Sequence, residues 1–212
     1  TEEHYKALVK TDLVNKCDLI GFHGQTIYHN PSKKKSIQLG NPRTLAKLLN
    51  KDVVSDFRSN DLSLGGQGAP LAPIYHKFLI KKLKLELPSC IVNIGGISNL
   101  TYWDGNKLIG FDTGPGNALM DHYMFNTVDE FFDKDGHTAS RGVPIKTHIE
   151  KFLRNEFFKI NPPKSLDKQA FILDYNQIIL KNYSKYDIMA TLCEFTVQSI
   201  LKSIEILPKK IK

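Results

Sequence analysis

The sequence predicts an α/β fold. Three observations predict it: short apolar runs that end at glycine or a polar residue, helix-spaced apolar segments that alternate with them, and closely spaced strands around a tight turn in the second half. Glu3 to Val14 has the spacing of an amphipathic helix, and Asp18-Leu19-Ile20-Gly21-Phe22 reads as a buried strand. Ser36-Ile37-Gln38-Leu39 alternates as a half-buried strand does. Pro42 in a first helical turn, followed by Thr44 to Leu49, predicts a helix, and Val53-Val54-Ser55-Asp56-Phe57 the next strand.

Leu64-Gly65-Gly66-Gln67-Gly68-Ala69-Pro70 is a glycine-rich loop, followed by a helix-compatible stretch from Ile74 to Leu83. The polar segment around Glu86 and Pro88 marks the expected domain boundary, giving residues 1–87 and 88–212. Beyond it Cys90–Ile94, Asn99–Trp103 and Lys107–Phe111 read as strands, the last two joined by the hairpin signal Asp104-Gly105-Asn106, which predicts antiparallel neighbours. Helices are expected over Asn117–Phe125, Pro144–Phe158 and Tyr186–Ile206. In the last, Met189, Leu192, Cys193, Thr196, Ile200 and Ile204 recur near helical spacing and are expected in the core.

The net charge of +7 raises nucleic acid or an acidic membrane as partners. Only Arg43, Arg58, Arg141 and Arg154 are arginines, the lysines are scattered, and no RNA-binding aromatic motif accompanies them, so neither partner is expected. No apolar run is long enough to span a bilayer and Thr1-Glu2-Glu3-His4 is unlike a signal peptide, which reads as a cytoplasmic protein. The dispersed Cys17, Cys90 and Cys193 suit neither a disulfide framework nor a metal cluster and read as buried thiols.

The chemistry concentrates in Gly110-Phe111-Asp112-Thr113-Gly114-Pro115-Gly116-Asn117, placed between a strand and a helix. Gly114 and Gly116 would let backbone amides approach an anion closely, aided by the helix beginning near Asn117. Asp112, expected at the strand's carboxyl edge, could hold magnesium or accept a proton from an attacking hydroxyl or water. A tight turn with Asp112 as helix cap is the competing explanation. A second group comprises His23-Gly24-Gln25-Thr26, then Asp56, Arg58 and Asp61, then the Gly65–Gly68 loop. Strand ends in open α/β sheets bind ligands, and these groups suit a hydroxyl-rich or carboxylate-bearing one. Both groups are expected to line one cleft.

Phe22-His23-Gly24-Gln25-Thr26, Asp56-Phe57-Arg58 through Asp61, Leu64 to Leu71, Asn93-Ile94-Gly95-Gly96-Ile97-Ser98-Asn99-Leu100 and Asp112 to Asn117 resemble, in order, motifs of the anhydro-N-acetylmuramic acid kinase family. Asp133-Lys134-Asp135-Gly136 and Pro162-Pro163-Lys164-Ser165 extend the resemblance along nearly the whole chain. It implies a two-domain actin-like (ribonuclease H-like) sugar kinase fold, with 1–87 on the sugar side and 88–212 on the phosphate side. It also implies use of ATP and Mg2+, hydrolytic opening of the 1,6-anhydro ring of an amino sugar, and phosphorylation at O6. Asp112 would be the base, Thr113, Gly114, Gly116 and Asn117 the nucleotide contacts, and His23, Gln25, Thr26, Arg58 and Asp61 the sugar contacts. No metal-ligating residue is assigned, and a homodimer is left open.

The family's opening Ser-Gly-Thr-Ser-x-Asp-Gly stretch and its adenosine-side loop find no match, so the chain reads as truncated at both ends and inactive alone. Where the family runs Thr-Gly-Arg-Glu after the Lys-Ser pair, Leu166-Asp167-Lys168-Gln169 stands here. A noncatalytic remnant or sugar-binding protein of the same fold is the alternative.

Overall fold

The computed structural model describes residues 2–11, 13–166, 171–179, 183–209 and 211. They form a mixed α/β structure with small sheets, in two compact units, Thr1–Ala69 and Pro70–Lys212.

The first unit contains helix α1 (Glu2–Val9), strands β1 (Leu19–Phe22), β2 (Gln25–Asn30) and β3 (Lys35–Leu39), helix α2 (Pro42–Leu49), strand β4 (Asp52–Ser55) and the short helix α3 (Ser59–Ser63). β1 and β4 pair in parallel, with Phe22 opposite Ser55. β2 and β3 form a separate antiparallel pair. β2 is a strand that the sequence reading did not assign, although Thr26-Ile27-Tyr28 carries the β-branched and aromatic residues that strands favour. α2 forms as expected: the Asn41 side chain accepts from Thr44 N at 3.1 Å, Pro42 fits the first turn, and Leu45 and Leu49 turn one face into the core.

The second unit opens with helix α4 (Ala72–Lys82), followed by β5 (Ser89–Ile94), β6 (Ile97–Trp103) and β7 (Leu108–Pro115), which form one antiparallel sheet in sequence order. The expected turn between the last two strands is present, with Gly105 at φ 101° and Asp104 Oδ1 accepting from Asn106 N and Lys107 N. α4 packs on β6 and β7. Residues 70–87 therefore cluster with the β5–β6–β7 sheet, and the compact units part after Ala69.

Helices α5 (Ala118–Tyr123), α6 (Lys146–Leu153), α7 (Ile172–Ile179) and α8 (Lys185–Glu205) complete the unit. The helix expected over Pro144–Phe158 ends early. The Asn155 side chain accepts from Phe157 N, drawing the chain into a new 3-10 turn, Glu156–Lys159. α8 joins two cores. Met189, Leu192 and Phe195 pack with Phe152, Phe157 and Phe171, while Ile204 lies against Leu100, Tyr102 and Phe111. Cys193, expected in the core, is exposed, and Cys17 and Cys90 are half-buried. Burial pushes the Cys90 thiol up to about 11, which keeps it protonated and unreactive at neutral pH. Among the described residues no helix is long and apolar enough to cross a membrane.

Candidate functional site

In the first unit the parallel pair sets the geometry. Because Phe22 faces Ser55, the residues next in the chain, His23 and Asp56, leave the sheet at the same carboxyl edge. Gly24 turns the chain there at φ 64°, and a Cβ on it would lie 2.7 Å from Leu39 O, so glycine is needed to pass from β1 into β2. His23 and Gln25 are exposed. Thr26 is half-buried and its hydroxyl accepts from Gln38 Nε2 at 3.3 Å. Arg58 and Asp61 clasp the glycine-rich loop from both sides of one residue: Arg58 Nη1 donates to Gly68 O at 2.6 Å, and Gly68 N donates to Asp61 Oδ2 at 2.7 Å. A Cβ on Gly66 would overlap the Asp61 carboxyl group. These two side chains, expected on a ligand, also shape the loop.

In the second unit β7 runs further than its sequence suggests. Its ladder continues through Gly114 opposite Ser98 and Pro115 opposite Ile97, so Asp112 lies within the strand, across from Asn99, rather than at its carboxyl edge. The register shifts between Ser98 and Asn99, leaving Thr113 as the extra residue of a bulge. Thr113 is fully buried and shares a 2.6 Å hydrogen bond with Ser98 Oγ. Asp112 is 6% exposed, and its Oδ2 accepts from Leu166 N at 2.8 Å. The N-cap of α5 is Asn117, so the helix-cap alternative for Asp112 does not describe this arrangement.

The Gly116 amide acts differently from the expectation that it faces an anion. Gly116 N donates to Gly96 O at 3.0 Å and Asn117 N to Gly95 O at 2.8 Å, so both amides close the Gly95-Gly96 turn onto the start of α5. A Cβ on Gly116 would overlap the carbonyl oxygen of Gly95. Gly114 is needed on the other side: its missing Cβ leaves room for Ser199 Cβ of α8, 2.8 Å from that position. Thr196 Oγ1 fixes the same corner by donating to Gly116 O at 2.8 Å.

Two further residues belong to this region. Lys164 is 4% exposed. Its Nζ donates to Phe157 O at 3.1 Å and lies 4.3 Å from the centre of the Phe157 ring. Burial and the neighbouring Lys202 push its pKa down to about 8, against the pull of the Asp112 carboxylate. Its carbonyl accepts from Asp112 N at 3.1 Å, so the Lys164–Leu166 segment holds Asp112 by backbone and side chain. Asn99 is the second: its Oδ1 is buried without a hydrogen-bond partner. The motifs Pro162-Pro163-Lys164-Ser165 and Asn93 to Leu100 contained both residues, and burial is what singles them out. Asp167, Lys168 and Gln169, where the sequence departs from the family pattern, lie outside the described residues.

The family model described as anhydro-N-acetylmuramic acid kinase matches residues 3–211. Among curated relatives carrying that name, one from Nitrobacter winogradskyi is 45% identical over 91% of this chain and 52% of its own length. One from Rhodopseudomonas palustris is 44% identical over the same shares. One from Hydrogenovibrio crunogenus is 39% identical over 94% of this chain and 57% of its own length. The chain spans about half the length of the curated relatives it matches.

Proposed function

The chain belongs to the anhydro-N-acetylmuramic acid kinase family, and from that premise we propose that the protein carrying it phosphorylates 1,6-anhydro-N-acetylmuramic acid from ATP while water opens the anhydro ring. Asp112 is the general base in this reading. The observation that carries it is the state of that carboxylate: buried, held by the Leu166 amide at a strand bulge, and not used as a helix cap. A base fixed in this way takes a proton with little reorganisation.

The same proposal keeps Thr113, Gly114, Gly116 and Asn117 on the phosphate side. They serve there as the frame that holds the Gly95-Gly96 turn, since the Gly116 and Asn117 amides are already engaged. His23, Gln25, Thr26, Arg58 and Asp61 are the sugar-side candidates, supported by the shared carboxyl edge of β1 and β4. The two-domain actin-like fold belongs to the proposal as well.

Membership of a kinase family implies ATP as the phosphoryl donor. Among the described residues no three His, Cys, Asp or Glu side chains form a metal-binding group. Mg2+ keeps several waters and binds through substrate phosphates and one or two carboxylates, and its use with ATP belongs to the proposal. Bound there, the metal would neutralise phosphate charge.

Asp112→Asn tests the reading in the protein that carries this sequence. Turnover, measured as sugar phosphate formed, should fall by about 10²–10⁴-fold, while ATP affinity stays within a few-fold. Near-normal turnover would return Asp112 to a structural role.

A further inference from the structure

The faces of the β5–β6–β7 sheet are unequal. Leu100, Tyr102 and Phe111 turn to one side, against Ile204 and Leu207. The other side is covered by α4: His76 Nδ1 lies 2.8 Å from Thr101 Oγ1, and a Cβ on Gly110 would overlap Pro73. Ladder partners share a face and alternate along each strand, so Asn93, Asn99 and Asp112, paired across all three strands, form one row on the α4 side. The row is graded, with Asn93 exposed, Asn99 half-buried and Asp112 buried.

Asparagine is disfavoured in strands, and a buried acceptor without a partner is costly. Asn99 Oδ1 is such an acceptor, in a row whose next member is a carboxylate. A carboxylate has no hydrogen to give this oxygen. A molecule with an O–H bond beside it supplies one, and water is the smallest that does.

We propose that Asn99 is a further catalytic residue, whose carboxamide oxygen holds the water from which Asp112 takes a proton. This rests on the assignment of Asp112 as base. The water donates one hydrogen to Asn99 Oδ1 and its other proton passes to Asp112, while its oxygen bonds to the anomeric carbon. The anhydro C–O bond breaks with its electron pair left on O6. That oxygen bonds to the γ-phosphorus and ADP leaves. Asn99 thereby fixes the direction of attack, and its unpaired oxygen in the free protein is stability given up for that purpose.

The test is Asn99→Val in the protein that carries this sequence, beside Asp112→Asn. Valine suits a strand and removes the unsatisfied oxygen, so the urea midpoint should rise while kcat falls about 10²-fold and the sugar KM changes less than about 3-fold. Asn99→Ala, smaller and free of strand crowding, should show the same loss of kcat if the valine variant does not fold. A normal kcat in these variants, with Asp112→Asn inactive, would overturn the role of Asn99 and leave the base assignment standing. Near-normal turnover in Asp112→Asn would sink the base assignment and the role of Asn99 with it. A lowered urea midpoint in both Asn99 variants would also overturn the proposal, because it would mark a carboxamide already paired inside the protein.

Discussion

Lys164 sets its ammonium among the rings of Phe157, Phe111 and Phe158, with Lys202 near enough to repel it. Its pKa in the folded chain is about 8, below the ordinary lysine value of 10.5. Between those values the unfolded chain holds a proton that the folded protein has released, so stability rises with pH across that window. Below about 8 the cost of the buried charge is fully present. Relative to Lys164→Met, the wild-type urea midpoint should therefore climb between about pH 8 and pH 10.5. Parallel curves for the two proteins would show that the charge is not strained. At this scale the sequence marked Asp112 by the company of its glycines. It could not mark Lys164 or Asn99, because their significance is burial, and burial depends on chain segments distant in sequence.

The Gly95-Gly96 turn and the start of α5 are tied by the Gly116 and Asn117 amides, in a space that a side chain at Gly116 would fill. Gly116→Ala should push that turn away and cost about 1–3 kcal/mol in denaturation experiments, the usual penalty of overpacking. A neutral result would mean the turn yields freely. α2 offers a local comparison: Asn41→Ala removes the acceptor for Thr44 N and should cost about 1 kcal/mol, measured the same way. Turn and cap signals of this kind were legible because they act over a few residues. The extent of β7 was not. Gly-Pro-Gly reads as a loop locally, and only pairing with Ser98 and Ile97 carries the strand through Pro115.

In the unit Pro70–Lys212, α8 gives Phe195 to the aromatic cluster and Ile204 to the cluster beneath the sheet. Phe195→Ala should cost about 3–5 kcal/mol, and the fluorescence of Trp103, the only tryptophan and a member of β6, should report the same lowered midpoint as helix content. An unmoved Trp103 transition would show that sheet and helices unfold separately. The sequence by itself determined the α/β class, the antiparallel strands after Pro88, most helices and the family, because periodicity, turn residues and ordered motifs are local properties. Tertiary structure alone decided that α4 belongs with the sheet it covers, that the Gly116 and Asn117 amides serve the Gly95-Gly96 turn, and that Asn99 faces Asp112 with an oxygen unpaired. Each of these depends on which distant groups meet in space, and the spacing of residues along one strand does not contain that information.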